Sequence, residues 1–123
     1  MTVAFWITAS LLALANLVAG GAKLTQPRAK LAASGMTWAE DFSDRTVKLI
    51  GLAEVLGAVG VILPALTGIA PILTPIAAIG LVVVQIGAVI THVRRGEKNV
   101  IGMNIALILL AVAVAVLGFA TIA

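Results

Sequence analysis

The sequence predicts an all-α membrane protein: a four-transmembrane-helix bundle with a long cytoplasmic loop between helices 1 and 2 that carries a short interfacial helix. Three observations predict it. Of the 123 residues, 62% are hydrophobic and only 11% charged, and the mean hydropathy is +1.20, far above the balance of a water-soluble domain. Four stretches supply the roughly 20 apolar residues that a helix rising about 1.5 Å per residue needs to cross about 30 Å of hydrocarbon. All eight basic residues fall in or beside only two of the three connections between those stretches.

The first span covers residues 3–22. A cleaved signal peptide is the rival reading of this segment, but a basic leading region is missing and the apolar run is long enough to cross. The second span covers 44–63, with Ser43 or Asp44 as N-cap and Pro64 as its stop. Thr74 and Pro75, a cap followed by a first-turn proline, open the third span at 74–93. Asn99 is the cap candidate of the fourth, 99–122. No composition shift marks a linker, so residues 1–123 read as a single transmembrane domain.

Lys23, Arg28, Lys30, Arg45 and Lys48 cluster around the first connection and Arg94, Arg95 and Lys98 in the third, whereas the connection from Pro64 to Leu73 has no basic residue. The positive-inside rule then puts both charged loops in the cytoplasm and both termini outside, in a multi-pass protein of the cell's inner membrane. The same distribution accounts for the net charge of +3 and pI near 10.0 without a nucleic-acid partner. Within the first charged loop, residues 23–43, "TWAED" sets Thr37 and Glu40 at capping-box spacing, with Trp38 and Phe42 placed to lie among lipid headgroups. A short interfacial helix is expected there; an irregular loop is the plainer alternative.

Cysteine is absent, which excludes thiol relays, disulfide exchange and thiolate metal sites. One histidine and one intramembrane carboxylate fall short of a metal site. No Gly-rich phosphate loop and no Ser/His/Asp set is present, so no cofactor is evident and no catalytic residue is assigned.

The informative residue is Glu54, alone in a greasy helix about two turns from its charged end. A charge at that depth costs about 2.5–3.5 kcal/mol on insertion scales, so something must hold, neutralise or use it. The other spans supply companions at a similar level. Measured from the charged ends, Asn16 lies about 10 Å in, Glu54 about 13 Å, Gln85 about 12 Å and Asn104 about 8 Å. Seven-residue spacing, close to two helical turns, puts Asn16 on a stripe with Lys23 and Gln85 on a stripe with His92. The same periodicity puts Gly20 on the stripe of Asn16 and Lys23 in span one and lines up Val47, Gly51, Glu54, Ala58 and Val61 in span two, with small residues that let helices approach closely in lipid. Glu54, Lys23, His92, Gln85, Asn104 and Asn16 are therefore the candidate ligand or proton pocket. The structural alternative is a clasp that fixes helix register. Lys23 is open to snorkelling to headgroups, His92 to simple solvation, and the amides to interhelical bonding worth about 0.6 kcal/mol each.

"GGAKL" at residues 20–24, "IGLAEVLGAVGVILP" at 50–64, "PIAAIGL" at 75–81 and "HVRRGE" followed by Asn104 resemble the DoxX-like family of small four-helix integral membrane proteins. The resemblance covers most of the chain, and the second-span segment is its most specific part. It implies a lysine at the end of helix one, a glutamate in helix two, a histidine after helix three and an asparagine in helix four, roles that fall to Lys23, Glu54, His92 and Asn104. It also implies an accessory subunit of a membrane redox system, with a quinone as the cofactor to consider, or a helper in receptor assembly. An autonomous oxidoreductase is not expected from a chain without cysteine or a redox-cofactor motif. The first expectation is a polar pocket around Glu54 that binds a quinone-like or lipid-like molecule or docks a redox partner. The rivals are a proton-coupled small-molecule transporter, and an assembly or chaperone partner that binds another membrane or cytoplasmic protein or a second copy of itself. Four-helix exporters of similar length carry their glutamate in helix one among aromatic residues, a pattern this chain lacks.

Overall fold

A computed structural model of the chain describes residues 2–122. Helix α1 spans Val3–Thr25, the short α2 Arg28–Ala33, α3 Asp44–Thr67, α4 Leu73–Arg95 and α5 Ile101–Ile122, with single 3-10 turns at Thr37–Asp41 and Lys98–Val100. Among the described residues, the four long helices meet the length and hydropathy needed to cross a membrane. The protein is a multi-pass membrane protein.

The helix ends show what local chemistry decides and what tertiary contact overrides. Thr2 caps α1 by accepting the Phe5 N–H at 3.1 Å, and Ser43, rather than Asp44, caps α3 by accepting the Thr46 N–H at 3.1 Å. Pro64 does not stop α3. A proline removes only its own N–H from the ladder, and the helix runs on to Thr67 before Gly68, at φ 72°, turns the chain. Helix α4 starts at Leu73 without a side-chain cap. The Thr74 hydroxyl, expected as that cap, donates instead to the Val61 carbonyl of α3 at 3.0 Å, because it is fully buried against that helix. Asn99 lies inside the 3-10 turn that leads into α5 rather than at a cap.

Between α1 and α3 the loop folds into α2 and the Thr37–Asp41 turn. Thr37 and Glu40 form no capping box: Met36 occupies the cap position and no side chain caps the turn. Leu31, Ala39 and Val47 make a small apolar core there, flanked by Trp38 and Phe42, whose rings meet edge to face at 5.8 Å.

The main core lies at the opposite end of the bundle, where Phe5, Leu12, Val61, Leu81 and Val114 interlock. In lipid such packing is held by dispersion and close fit, since there is no water to expel between helices. Along α3 the buried residues are Val47, Gly51, Glu54, Ala58 and Val61, the stripe anticipated from spacing. The buried stripe of α1 likewise includes Asn16, Gly20 and Lys23. Between the far core and the loop core, the two halves of the bundle leave a space that the polar residues surround.

Candidate functional site

Glycine makes the site at the α1–α3 crossing. A Cβ built on Gly20 would stand 2.7 Å from the Gly51 carbonyl oxygen, so only glycine lets the two backbones approach this closely. One turn on, Lys23 extends along α3 and its Nζ meets Glu54 Oε1 at 2.6 Å. The side chains are 7% and 5% exposed. Lys23 therefore does not snorkel out of the bundle; its charge is spent on the carboxylate. The Trp38 ring, its centroid 5.6 Å from Nζ, covers the ammonium from the loop side, a cation–π contact worth about 0.5–2 kcal/mol depending on desolvation.

Lys48 has a local role at the end of α1. Its Nζ donates to the carbonyls of Lys23 at 2.8 Å and Gln26 at 2.6 Å. These belong to the open C-terminal turn of α1, where a cation both satisfies free carbonyls and complements the helix dipole. The arrangement anchors the helix end from which Lys23 reaches inward.

On the facing side, Asn104 of α5 donates through Nδ2 to Gln85 Oε1 of α4 at 2.8 Å, joining those helices inside the bundle. Asn16 donates to the Leu12 carbonyl of its own helix at 2.9 Å. The Oδ1 atoms of Asn16 and Asn104 are buried and have no hydrogen-bond partner. An acceptor left so costs about 1–3 kcal/mol.

His92 pairs with a carboxylate other than Glu54. Its Nδ1 lies 3.1 Å from Glu97 Oε1, and Glu97 also accepts from the Arg95 Nε at 3.0 Å and from the Thr37 hydroxyl at 2.8 Å. Arg95 reaches on to Asp41. This network ties the Thr37–Asp41 turn to the end of α4. The Thr37 hydroxyl, then His92 and Arg95, hold the Glu97 carboxyl below the usual carboxylate range.

A cavity of about 810 Å³ lies among these elements. All six residues anticipated from the sequence line it: Asn16, Lys23, Glu54, Gln85, His92 and Asn104. Trp38, Met36 and Phe42 from the loop close its charged end. Its sides include Leu49 of α3, Val83 of α4 and Met103 of α5, which are 56%, 64% and 69% exposed. These apolar side chains border the cavity and are also exposed on the outer faces of helices long and apolar enough to cross a membrane. The walls are aliphatic and the polar groups few and convergent, as in small-molecule pockets generally.

Sequence reasoning overlooked Trp38 as a cover for Lys23 and Thr37, Asp41, Arg95 and Glu97 as a latch. Only one signal was there to use: Glu97 follows the helix-ending Gly96 five residues after His92, close enough for the chain to fold back on the imidazole.

No curated protein and no solved structure matches this chain. The family model described as the DoxX-like family matches residues 7–115, carrying all six pocket residues. The chain belongs to the DoxX-like family.

Proposed function

We propose that this protein binds an apolar, lipid-soluble molecule, quinone-like or lipid-like, in the cavity around the Lys23–Glu54 pair and serves as an accessory subunit of a membrane redox system. The observation that carries the reading is the junction of a buried ion pair with an aliphatic cavity that borders lipid through Leu49, Val83 and Met103. A purely structural clasp has no need of that volume. In this reading the charged loops face the cytoplasm of an inner-membrane protein, α2 and the Thr37–Asp41 turn lie at the membrane surface, and the termini face outward. The distribution of lysine and arginine supports the orientation, and the edge-to-face Trp38–Phe42 pair beside basic residues supports the surface position.

Glu54 and Lys23 act as a paired acceptor and donor, and the ligand's polar end displaces part of their mutual contact. The Gln85–Asn104 pair orients that end. His92, fixed through Nδ1 by Glu97, lines the same space. Native mass spectrometry of protein extracted in mild detergent tests the reading. Wild type is expected to carry an apolar small molecule or lipid that survives extraction, and Glu54→Gln, which keeps the side chain's shape and a hydrogen-bond acceptor for Lys23, to lose it in the fraction that circular dichroism shows to be folded. Equal retention by the variant would overturn the pocket.

A further inference from the structure

We propose that the Thr37–Asp41 turn is a gate over the charged end of the cavity: latched to Arg95 and Glu97 it keeps water from the Lys23–Glu54 pair, and release of the latch opens an aqueous route to that pair. The gate depends on the cavity and not on what fills it.

The four long helices are joined as two pairs. Towards the charged end, α1 and α3 are held together by the Gly20–Gly51 approach and by Lys23 on Glu54, and α4 and α5 by the bond from Asn104 to Gln85. The pairs meet at the opposite end. There the Thr74 hydroxyl bonds to the Val61 carbonyl, a Cβ on Gly60 would stand 2.9 Å from that of Ala77, and Phe5, Leu12, Leu81 and Val114 share one core. Towards the charged end the cavity lies between the pairs, with Ala53 of α3 and Ala88 of α4 among its walls. Among the described residues, the hydrogen bonds and ion pairs that bridge the two pairs at that end are those from Thr37 to Glu97 and from Arg95 to Asp41. The turn itself belongs to the α1–α3 side: Ala39 is buried with Leu31 and Val47, and the Arg28 guanidinium donates to the Phe42 carbonyl at 2.7 Å. Breaking the latch therefore parts the turn from the end of α4 while each pair stays intact, at the edge where Thr91, His92 and Asn99 line the cavity. The latching side chains are partly exposed, Arg95 at 22%, Glu97 at 24% and Asp41 at 54%. Ion pairs so exposed hold weakly, which puts the open form within thermal reach. A packed core at one end and a breakable bridge at the other make a hinge.

Thiol labelling tests the gate without a ligand. Ala88→Cys puts the chain's single thiol on the cavity wall. The purified protein in nanodiscs is then treated with two methanethiosulfonates too polar to cross lipid, one bearing a trimethylammonium group and one a sulfonate. With the gate latched, both are expected to react slowly. Arg95→Gln, which removes the contacts to Asp41 and Glu97 together, is expected to speed both reagents about tenfold, the change in open population that the loss of one or two such bonds supplies. Thr37→Val, which alters no charge, is expected to speed both severalfold, and it carries the test if Arg95→Gln loses the helical circular dichroism of the parent. Arg94→Gln, at an exposed neighbouring arginine, is expected to leave both rates unchanged. Unchanged rates in Arg95→Gln and Thr37→Val would overturn the gate. So would a rise for one reagent with a fall for the other, which reports an altered field rather than an opening, and so would fast labelling of the latched parent. Ligand retention in the Glu54→Gln comparison is read separately, so failure of the gate and failure of the pocket's proposed occupancy are distinguishable.

Discussion

Gly20 and Gly51 meet backbone to backbone, so that a methyl group added to Gly20 would fall 2.7 Å from the Gly51 carbonyl oxygen and 2.9 Å from a methyl of Val55. This contact sets the distance between α1 and α3, and that distance sets whether Lys23 can reach Glu54. Gly20→Ala is therefore expected to destabilise the bundle by about 1–3 kcal/mol, the usual cost of overpacking, and to weaken ligand retention as well. Gly21→Ala provides the control. A Cβ there meets nothing within 4 Å, so the change is expected to be neutral or to stabilise by up to about 1 kcal/mol through helix propensity. Unfolding in detergent by circular dichroism separates the two variants.

The Lys23–Glu54 pair should behave as a coupled unit. Removing one partner leaves the other charge buried, which costs about 3–5 kcal/mol in comparable pairs, whereas replacing both by apolar groups is often neutral or stabilising. Lys23→Met and Glu54→Leu are each expected to destabilise strongly, and the double variant to recover most of the loss. A double-mutant cycle of unfolding free energies measures the coupling. Additive losses would mean that the two side chains do not depend on each other.

The latch between the Thr37–Asp41 turn and α4 has its own pH dependence. Thr37, His92 and Arg95 lower the Glu97 pKa in the folded protein from its ordinary 4.5. A carboxylate with a depressed folded pKa contributes stability that is present above its unfolded value and is lost as pH falls through the folded value. The turn is thus expected to stay docked above about pH 4.5 and to release only as the pH falls further, through the depressed folded value. Trp38 emission in a Trp6→Phe background reports the release. Glu97→Gln should abolish the acid-dependent step, and Thr37→Val should shift it to higher pH because the largest lowering contact is removed.

Much of this molecule can be read from its sequence because a membrane imposes simple rules. Hydropathy and length identify the four crossings, and helical periodicity puts Asn16, Gly20 and Lys23 on one buried stripe and Gly51 and Glu54 on another. Depth counting then brings the polar residues to one level, where they surround a single cavity. What resisted reading depends on contacts between distant residues. The Thr37 hydroxyl looks like a local cap, yet its partner Glu97 lies sixty positions away. His92 lines the cavity with Glu54, but the sequence does not show that Glu97 holds its Nδ1. Pro64 reads as a stop because proline opposes helix, although in a membrane segment its missing bond costs less than ending the helix early. Lys23 was free by sequence either to snorkel or to pair, and the glycine crossing with Trp38 above it decided for pairing.

In the proposed function the cavity adjoins the ion pair and communicates with lipid rather than with water. Ala88 lines it on α4, and because the chain has no cysteine, Ala88→Cys gives one attachment point for a small bimane fluorophore. In reconstituted bilayers, phospholipids brominated along the acyl chain should quench that label strongly and aqueous iodide weakly. Strong quenching by iodide with none by brominated lipid would show a water-filled space and contradict the claim.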